Sequence, residues 1–392
     1  MTTGVPAAQH HLRRQVLAAF GAFGVWWGGW GAVLPAVQTR SGVDDGQLGG
    51  ALLFVAVGAL ASMRLVGGLL DRFGRVILPL TAVALAATGL GPAFASGFAL
   101  LAAALLLVGA ASGAMDVAIN SFSARYESTA SRPLMNLAHA SFSIGVIAGA
   151  TTTGLLRSSG AGPPVVLGAL GLILLAVATW LARPAGTEEP STNDTGEPPT
   201  WRWWAPPRRL LVLGTLTALA FLVENAWQSW SAVHLERTLG AGSAIGSAGP
   251  VLFGASAAAG RLTGHRLTGR FTEHALVRAG ALVAGIGTVI AALSPAVWLV
   301  LVGIAAAGVG TAVCAPSLFS LAGRGVDARR RGAVMGTVTT LAYLGFVLSP
   351  AIVGLTARVT SLRVALAGVA VAALLLAVFA TQARAADEDE HP

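Results

Sequence analysis

Twelve apolar stretches run along this chain, each about as long as a helix that crosses a bilayer. Roughly 20 apolar residues span the hydrocarbon core, where the backbone must satisfy its hydrogen bonds within the helix. The third and fourth stretches are separated only by Ser96-Gly97. The sequence therefore predicts an all-α integral membrane protein with twelve transmembrane helices. The predicted spans are residues 15–37, 47–70, 77–95, 97–121, 135–158, 163–182, 209–234, 246–268, 275–293, 296–322, 332–356 and 361–381.

The composition excludes a soluble fold. Of the 392 residues, 55% are hydrophobic and 11% are charged, whereas soluble domains carry about 25% charged residues. A water-facing surface cannot absorb this much apolar area. The composition is instead that of a protein surrounded by membrane lipid.

The residue inventory also removes several enzyme classes. All 25 basic residues are arginine, so the chain has no Walker A lysine and no Schiff-base lysine. Cys314 is the single cysteine, which leaves no intrachain disulfide and no cysteine-based metal site. G-x-S-G, H-E-x-x-H and paired-aspartate motifs are also missing from the sequence. We expect no enzyme activity, no cofactor and no bound metal.

The arginines predict the topology. With the N-terminus in the cytoplasm, 20 of the 25 arginines fall in inner segments and 5 in outer ones. Positive charge accumulates in cytoplasmic loops. The chain is therefore expected to be a multi-pass protein of the inner membrane with both termini cytoplasmic. The pI near 11.3 then reflects topology, and no nucleic-acid partner is expected.

Several residues recur at about half the chain length, which indicates an internal duplication. Arg64-Leu65-x-Gly67 recurs 197 residues later as Arg261-Leu262-x-Gly264. Further recurrences, each 200 residues apart, are Trp27 with Trp227, Trp30 with Trp230, Met135 with Met335, Gly145 with Gly345 and Gly154 with Gly354.

A polar segment divides the two repeats. Residues 183–208 are rich in Pro, Thr, Glu and Asp, a composition typical of a flexible linker. The predicted organisation is a six-helix bundle over 1–182, the cytoplasmic linker 183–208, a second six-helix bundle over 209–381 and an acidic cytoplasmic tail over 382–392.

The loop after the second span carries a family signature. Gly67-Gly68-Leu69-Leu70-Asp71-Arg72-Phe73-Gly74-Arg75 closely resembles the G-x-L-x-D-R-x-G-R motif of the major facilitator superfamily (MFS). The resemblance implies the MFS fold, two pseudo-symmetric six-helix bundles that work as a monomer. It also implies a conformational latch made by Gly67, Asp71, Arg72, Gly74 and Arg75. Elementary chemistry adds that Gly67 allows close helix packing and Gly74 a tight turn.

A narrower resemblance lies in the fourth and fifth spans. Gly113-Ala-Met-Asp116-Val-Ala-Ile-Asn120 is similar to the fourth helix of fucose-permease-like transporters. Together with Arg132-Pro133 and His139, it also resembles a bacterial subgroup near those permeases. The resemblance implies proton coupling at Asp116 and sugar binding near Asn120. That permease also uses an acid in its first helix, and the first span here has none.

Polar side chains at bilayer depth are costly and mark candidate sites. Three spans carry them at i, then i+3 or i+4, and i+7, which places each set on one helix face. We expect these faces to line a central cavity where the halves meet, as transporter folds do. The sets are Asp116, Asn120 and Ser123; Asn136, His139 and Ser143; and Glu224, Gln228 and Ser231.

Each of these residues also has a structural interpretation. Asp116 could hydrogen-bond a neighbouring helix, Glu224 could lie near the outer headgroups, and His139 could be a packed core histidine. Arg64 and Arg261 lie within a turn or two of the inner surface and are expected to snorkel.

The tryptophans leave two interpretations open. Trp27, Trp30 and Trp227 could stack on a sugar ring in the cavity or belong to an interfacial belt.

The sequence thus predicts a proton-coupled secondary transporter of a small polar organic solute, for example a sugar-like one, acting by alternating access. Asp116, Glu224 and His139 are the proton-coupling candidates. The expected partners are that solute, protons and membrane lipid. The alternatives are proton-driven efflux of a hydrophobic compound and a sensor built on a transporter fold. The cavity candidates are Asn120, Trp27, Trp30, Trp227, Gln228 and Asn136.

Overall fold

The computed structural model describes residues 7–130, 134–183, 207–267, 270–324, 326 and 328–380. Within these residues the chain forms twelve long α-helices, as the sequence predicts. The first six are α1 (Ala7–Ser41), α2 (Asp45–Phe73), α3 (Ile77–Thr88), α4 (Gly97–Ala130), α5 (Met135–Ser158) and α6 (Pro163–Leu181). The second six are α7 (Arg208–Val233), α8 (Ser243–Leu267), α9 (Glu273–Leu293), α10 (Val297–Gly323), α11 (Ala328–Val359) and α12 (Leu362–Phe379).

The break between α3 and α4, which the sequence marks only weakly, is present. A short 3₁₀ turn over Gly91–Ala93 ends the third span. Gly97 then begins α4 with φ +73, a left-handed conformation that glycine adopts without steric strain.

Within the described residues, ten of the twelve helices are long and apolar enough to cross a membrane by length and composition. The other two, α5 and α8, are 24 and 25 residues long. They carry more serine, threonine, glycine and histidine, which lowers their hydropathy. Large apolar side chains point outward from several spans, including Leu65, Leu172 and Ile286. The chain is therefore a multi-pass membrane protein with the all-helical fold that its sequence predicts.

The helices group into two compact units. The first contains Met1–Thr192 and Gly242–Val251, and the second contains Asn193–Ala241 and Leu252–Pro392. The predicted linker falls mainly on residues 184–206 and the predicted tail on 382–392, which lie outside the described residues. Those two boundaries therefore stay predictions.

Both units repeat one pattern of helix pairing. In the first unit α1 packs on α4, α5 and α6, and α3 packs on α4 and α6. In the second unit α7 packs on α10, α11 and α12, and α9 packs on α10 and α12. Adding six to each helix number of the first set gives the second set. The structure thus supports the duplication that the sequence indicates.

The contacts between the helices correct the register of that duplication. A methyl group built on Gly145 would overlap the carbonyl oxygen of Gly21, and one built on Gly345 would overlap that of Ala218. Gly145 and Gly345 are 200 residues apart, as the sequence predicts, but Gly21 and Ala218 are only 197 apart.

Two further contacts give the same register. The Val25 carbonyl faces Gly149 in the first unit, and the Leu222 carbonyl accepts a hydrogen bond from Ser349 in the second. Val25 and Leu222 are again 197 residues apart. The counterpart of Trp30 is therefore Trp227, and the counterpart of Trp27 is Glu224. The pairing of Trp27 with Trp227 was wrong because tryptophans three residues apart in both helices fit either register.

Candidate functional site

An acid and an amide share one face of α4. The Asn120 side chain donates from Nδ2 to Asp116 Oδ1 at 3.1 Å and to the Asp116 backbone oxygen at 2.9 Å. Both side chains are half-buried. The described residues place no cation within salt-bridge distance of Asp116, so an uncharged amide on its own helix is its polar partner. One turn further, Ser123 is fully buried, and its hydroxyl has no hydrogen-bond partner among the described residues.

A second acid, Glu224 of α7, lies in a different environment. Its Oε1 accepts hydrogen bonds from Gln228 Nε2 and from Arg261 Nη2, both at 3.1 Å. The second contact is a salt bridge from α8 to α7. The expectation that Arg261 snorkels to the inner surface was wrong, because its guanidinium pairs with Glu224 instead. Ser231, predicted on the same face, is fully buried.

The polar residues of α5 are only partly described. His139 is exposed, and its ring contacts Phe20 of α1 edge-on at a centroid distance of 5.2 Å. Its backbone oxygen accepts a hydrogen bond from Ser143 at 3.0 Å. The side chain of Asn136 lies outside the described part of the structure. The role of His139 in proton coupling stays a prediction.

The tryptophans of α1 form an aromatic stack within the first unit. Trp26 and Trp30 are parallel, with ring centroids 5.9 Å apart and planes at 2°. Trp27 meets the edge of Trp26 at 5.1 Å. Trp30 is buried, whereas Trp27 is half-buried. Only Trp27 keeps ring surface that a solute could contact.

Trp227 lies in the interior of the second unit. It is fully buried, and its Nε1 donates to Thr288 Oγ1 of α9 at 3.0 Å. His234, at the π-helical turn that follows α7, contacts the same ring at 6.3 Å. The structure therefore corrects the cavity assignment of Trp30 and Trp227, because both rings are used in packing within a bundle.

The signature loop connects α2 to α3. Gly74 ends α2 with φ +55, and its N–H donates to the Leu70 carbonyl. Arg72 is exposed and lies over the Phe73 ring at 5.2 Å. Within the first unit, no described residue lies within 4 Å of a methyl group built on Gly67, so the close packing predicted there is not seen. The side chain of Asp71 lies outside the described part of the structure.

Arg75 is held by a residue that the sequence did not single out. Its Nη2 donates to Oε1 of Gln15, a fully buried side chain on α1. The Gln15 amide nitrogen in turn donates to the carbonyl oxygens of Trp180, Leu181 and Arg183, at 3.1, 3.4 and 3.2 Å. These carbonyls lie at and just beyond the end of α6, where helix carbonyls run short of backbone donors. Trp180 O also accepts from the Arg183 N–H at 3.1 Å. Gln15 thus ties the signature loop to the end of α6.

Sequence reasoning could have found Gln15 from one signal. It is a polar residue inside the first predicted span, and such residues need a partner. What the sequence did not provide was the direction of the side chain.

Two cavities open at equivalent positions in the two units. One, of about 300 Å³, lies between α3 and α6, and the other, of about 320 Å³, lies between α9 and α12. Both are lined by apolar residues only, and neither contains a residue of the predicted site. Their lining suits lipid chains rather than a polar solute.

A family model and the related sequences assign the chain to one family. The model of the Major Facilitator Superfamily matches residues 15–293 and 213–392 in two overlapping segments. An uncharacterised MFS-type transporter of Yersinia pestis is 30% identical over 97% of both chains. An uncharacterised transporter of Sinorhizobium fredii is 30% identical, covering 94% of this chain and 97% of its own. The membrane protein MosC of Rhizobium meliloti is 28% identical, with 93% and 86% covered.

Solved structures show the same fold at low identity. A bacterial homologue of the human lysosomal transporter Spinster, in an inward-facing occupied conformation, superposes with a TM-score of 0.80 at 17% identity, covering 97% and 98% of the two chains. The nucleoside transporter NupG superposes with a TM-score of 0.79 at 13% identity, covering 95% and 98%. At these identities the likeness concerns the fold alone.

Proposed function

Because the chain belongs to the Major Facilitator Superfamily and is a membrane transporter rather than an enzyme, we propose that it moves a small polar organic solute by proton-coupled alternating access. Asp116 is the proposed proton-coupling residue. The observation that carries this assignment is the Asp116–Asn120 pair. It is a carboxylate in a membrane span with an amide partner on its own helix and no described cation within salt-bridge distance.

The chemistry of that pair suits proton loading. A carboxylate held by a cation keeps its charge, whereas one held by a neutral amide can gain or lose a proton as its exposure to water changes. An Asn side chain offers two donors and one acceptor oxygen, so Asn120 can also bond a hydroxyl of the solute. Together with the half-buried Trp27 of the same unit, it supplies polar and stacking contacts that suit a sugar-like solute.

The remaining functional assignments are also proposals. The similarity of 113–120 to fucose-permease-like transporters supports a sugar-like solute. The excess of arginine in the inner segments supports an inner-membrane location with cytoplasmic termini, and the family fold supports a monomer. We propose that the signature loop latches the cytoplasmic side, with Gly74 at its turn and Arg75 anchored by Gln15.

Transport by the purified chain in proteoliposomes tests the central assignment. Uptake of sugars, organic acids and hydrophobic cations is measured with an imposed proton gradient, and solute exchange is measured without one. Asp116→Asn keeps the shape of the side chain but cannot carry the proton. We expect it to abolish proton-driven accumulation of the solute while solute exchange continues.

The matched control is Asp44→Asn, an acid-to-amide change at the N-cap of α2, where asparagine caps equally well. It should leave both activities unchanged. Accumulation that survives Asp116→Asn would remove Asp116 from the coupling mechanism. Transport of hydrophobic cations alone would favour the alternative, proton-driven efflux.

A further inference from the structure

The salt bridge between α7 and α8 uses only part of the hydrogen-bonding capacity of its cation, Arg261. Arg261 donates through Nη2 to Glu224, and Glu224 is its only partner among the described residues. A guanidinium has five N–H donors in a planar fork. The Arg261 side chain is 46% exposed, against 15% for Glu224. The remaining donors therefore face outward from the helix pair.

The surroundings indicate what those donors face. Glu224 lies well inside α7, which is long and apolar enough to span the membrane. Charged side chains at such depth face water-filled space or a partner, because lipid cannot solvate them. A guanidinium that keeps free donors beside its partner and faces such space can bind an anion. Carboxylates suit it best, because their two oxygens match the fork.

We propose that Arg261 binds the carboxylate of an anionic solute, which takes the place of Glu224, and that Glu224 accepts a proton as it is displaced. This inference rests on the proposed transport function and gives its substrate class: a small organic acid with hydroxyl groups, such as a sugar acid. Gln228, which donates to the same Glu224 oxygen, becomes available to a solute hydroxyl at the same moment.

The charges balance in this exchange. Before binding, Glu224 and Arg261 sum to zero. After a monoanion and one proton have bound, neutral Glu224 stands beside an Arg261–carboxylate pair, and the sum is again zero. Solute and proton therefore bind together without leaving a net charge at membrane depth, which would be costly.

Few other titratable groups face this pair among the described residues. Cys314 of α10 is close enough to be influenced by the charge of Glu224. It is fully buried, and its thiol is directed to the Gly310 carbonyl at 3.4 Å. On α11, Tyr343 contacts Phe221, almost one turn before Glu224. Neither group is charged at neutral pH, so Glu224 is the group expected to take the proton.

Calorimetric titration of the purified full-length chain tests this proposal. The probes are glucuronate and gluconate, with glucose and sorbitol as their neutral counterparts. Titrations at about pH 6 and about pH 8, in buffers with different ionisation enthalpies, count the protons taken up. For the wild-type chain we expect anion affinity to rise by up to about tenfold per pH unit of acidification, the limit for one linked proton.

Variants separate the two partners. Glu224→Gln, which frees Arg261 permanently, should bind the anions at both pH values with little proton uptake. Arg261→Gln should lose anion binding, and Arg261→Lys should weaken it because the fork is lost. The control is Arg266→Gln, an exposed arginine on the same helix with no described partner, which should behave as wild type.

Two results would overturn the proposal. One is that neither sugar acid binds the wild-type chain, and the other is that anion binding survives in Arg261→Gln. If glucose or sorbitol binds and neither the Glu224 nor the Arg261 variants change that binding, the anion site is contradicted. The proposal that the chain transports a polar solute would remain. Proton-driven transport that fails in Asp116→Asn would remain a separate result, since Asp116 lies on α4 in the other unit.

Discussion

Two equivalent helix pairs, α1 with α5 in the first unit and α7 with α11 in the second, are held together by different contacts. In the first unit, α1 and α5 meet through glycines. A methyl group built on Gly28 would overlap the carbonyl of Val146, and one built on Gly149 would overlap that of Val25. Nothing larger than hydrogen fits between these backbones.

In the second unit, hydrogen bonds occupy the equivalent positions of α7 and α11. Asn225, the counterpart of Gly28, donates to the Phe346 carbonyl at 2.6 Å. Ser349, the counterpart of Gly149, donates to the Leu222 carbonyl at 2.7 Å. Only Gly345 keeps the close backbone contact.

The difference shows that a duplicated helix pair can be stabilised in two ways. Transmembrane helices associate through close packing of small residues or through side-chain hydrogen bonds. Close packing of glycines leaves no room for an added atom. An interhelical hydrogen bond contributes little to the free energy of unfolding, so its loss has a small effect. The two units should therefore respond unequally when the residues are exchanged between them.

The largest effect is expected for Gly149→Ser, which gives α5 the residue of its counterpart. The new Cβ would overlap the Val25 carbonyl, and because backbone cannot give way, the helices must separate. Overpacking costs about 1–3 kcal/mol and occasionally more, and we expect a loss above that range. Thermal unfolding of the purified chain in detergent measures it. The control is Gly368→Ser on α12, where nothing lies within 4 Å of the added atom. Equal midpoints for the two variants would contradict the packing argument.

The next largest effect is expected at the start of α7. Arg209 is buried and donates to the carbonyls of Leu321 and Arg324, at 2.7 and 3.3 Å. These carbonyls lie at the end of α10, so Arg209 acts there as Gln15 acts on α6. Hydrogen bonds to charged groups contribute about 1.5–3 kcal/mol, and Arg209→Leu should destabilise the chain by that amount. The exposed neighbour provides the control, since Arg208→Leu removes the same charge without those bonds. A midpoint no lower than that of the control would show that the capping contact contributes nothing.

A smaller effect is expected for Asn225→Gly, the reverse exchange on α7. It removes the bond to Phe346 and the one that Asn225 Oδ1 accepts from Ser229 at 3.2 Å. Interhelical hydrogen bonds in membranes average about 0.6 kcal/mol and reach about 1.7, so the loss should be near 1 kcal/mol. The same thermal unfolding assay applies, with Gly28→Asn as the opposite exchange. If Asn225→Gly unfolds as early as Gly28→Asn, the two units are not stabilised differently.

Much of this architecture could be predicted from the sequence, because lipid imposes simple rules. The twelve helices follow from apolar length, and the turn at Gly74 follows from glycine chemistry. Each of these depends on local sequence. Local sequence is what periodicity and composition report.

The rest depends on helix rotation and register, which composition does not report. The chemistry of a tryptophan ring suits a solute cavity and a packed core equally well. Only the hydrogen bond from Trp227 to Thr288 shows that this ring belongs to the core. Arg261 is long enough to reach either the inner surface or Glu224, so its position along α8 could not select a partner. Gln15 was missed for the same reason.

The smallest effect is expected for Ser349→Ala, and it gives the most direct measure of what replaced the glycine contact. The serine is fully buried, and its hydroxyl bond runs between helices. Losing it should cost about 0.6 kcal/mol, a fall of roughly 1–2 °C in the unfolding midpoint. Ser317→Ala is the matched control, because that hydroxyl donates at 2.8 Å to Val313 of its own helix and holds no pair together. A fall in Ser349→Ala alone would show that the bond contributes to the α7–α11 contact. Equal midpoints would mean that packing around Gly345 holds α7 and α11 together, much as glycine contacts hold α1 and α5 together. Ser349 would then only fill space.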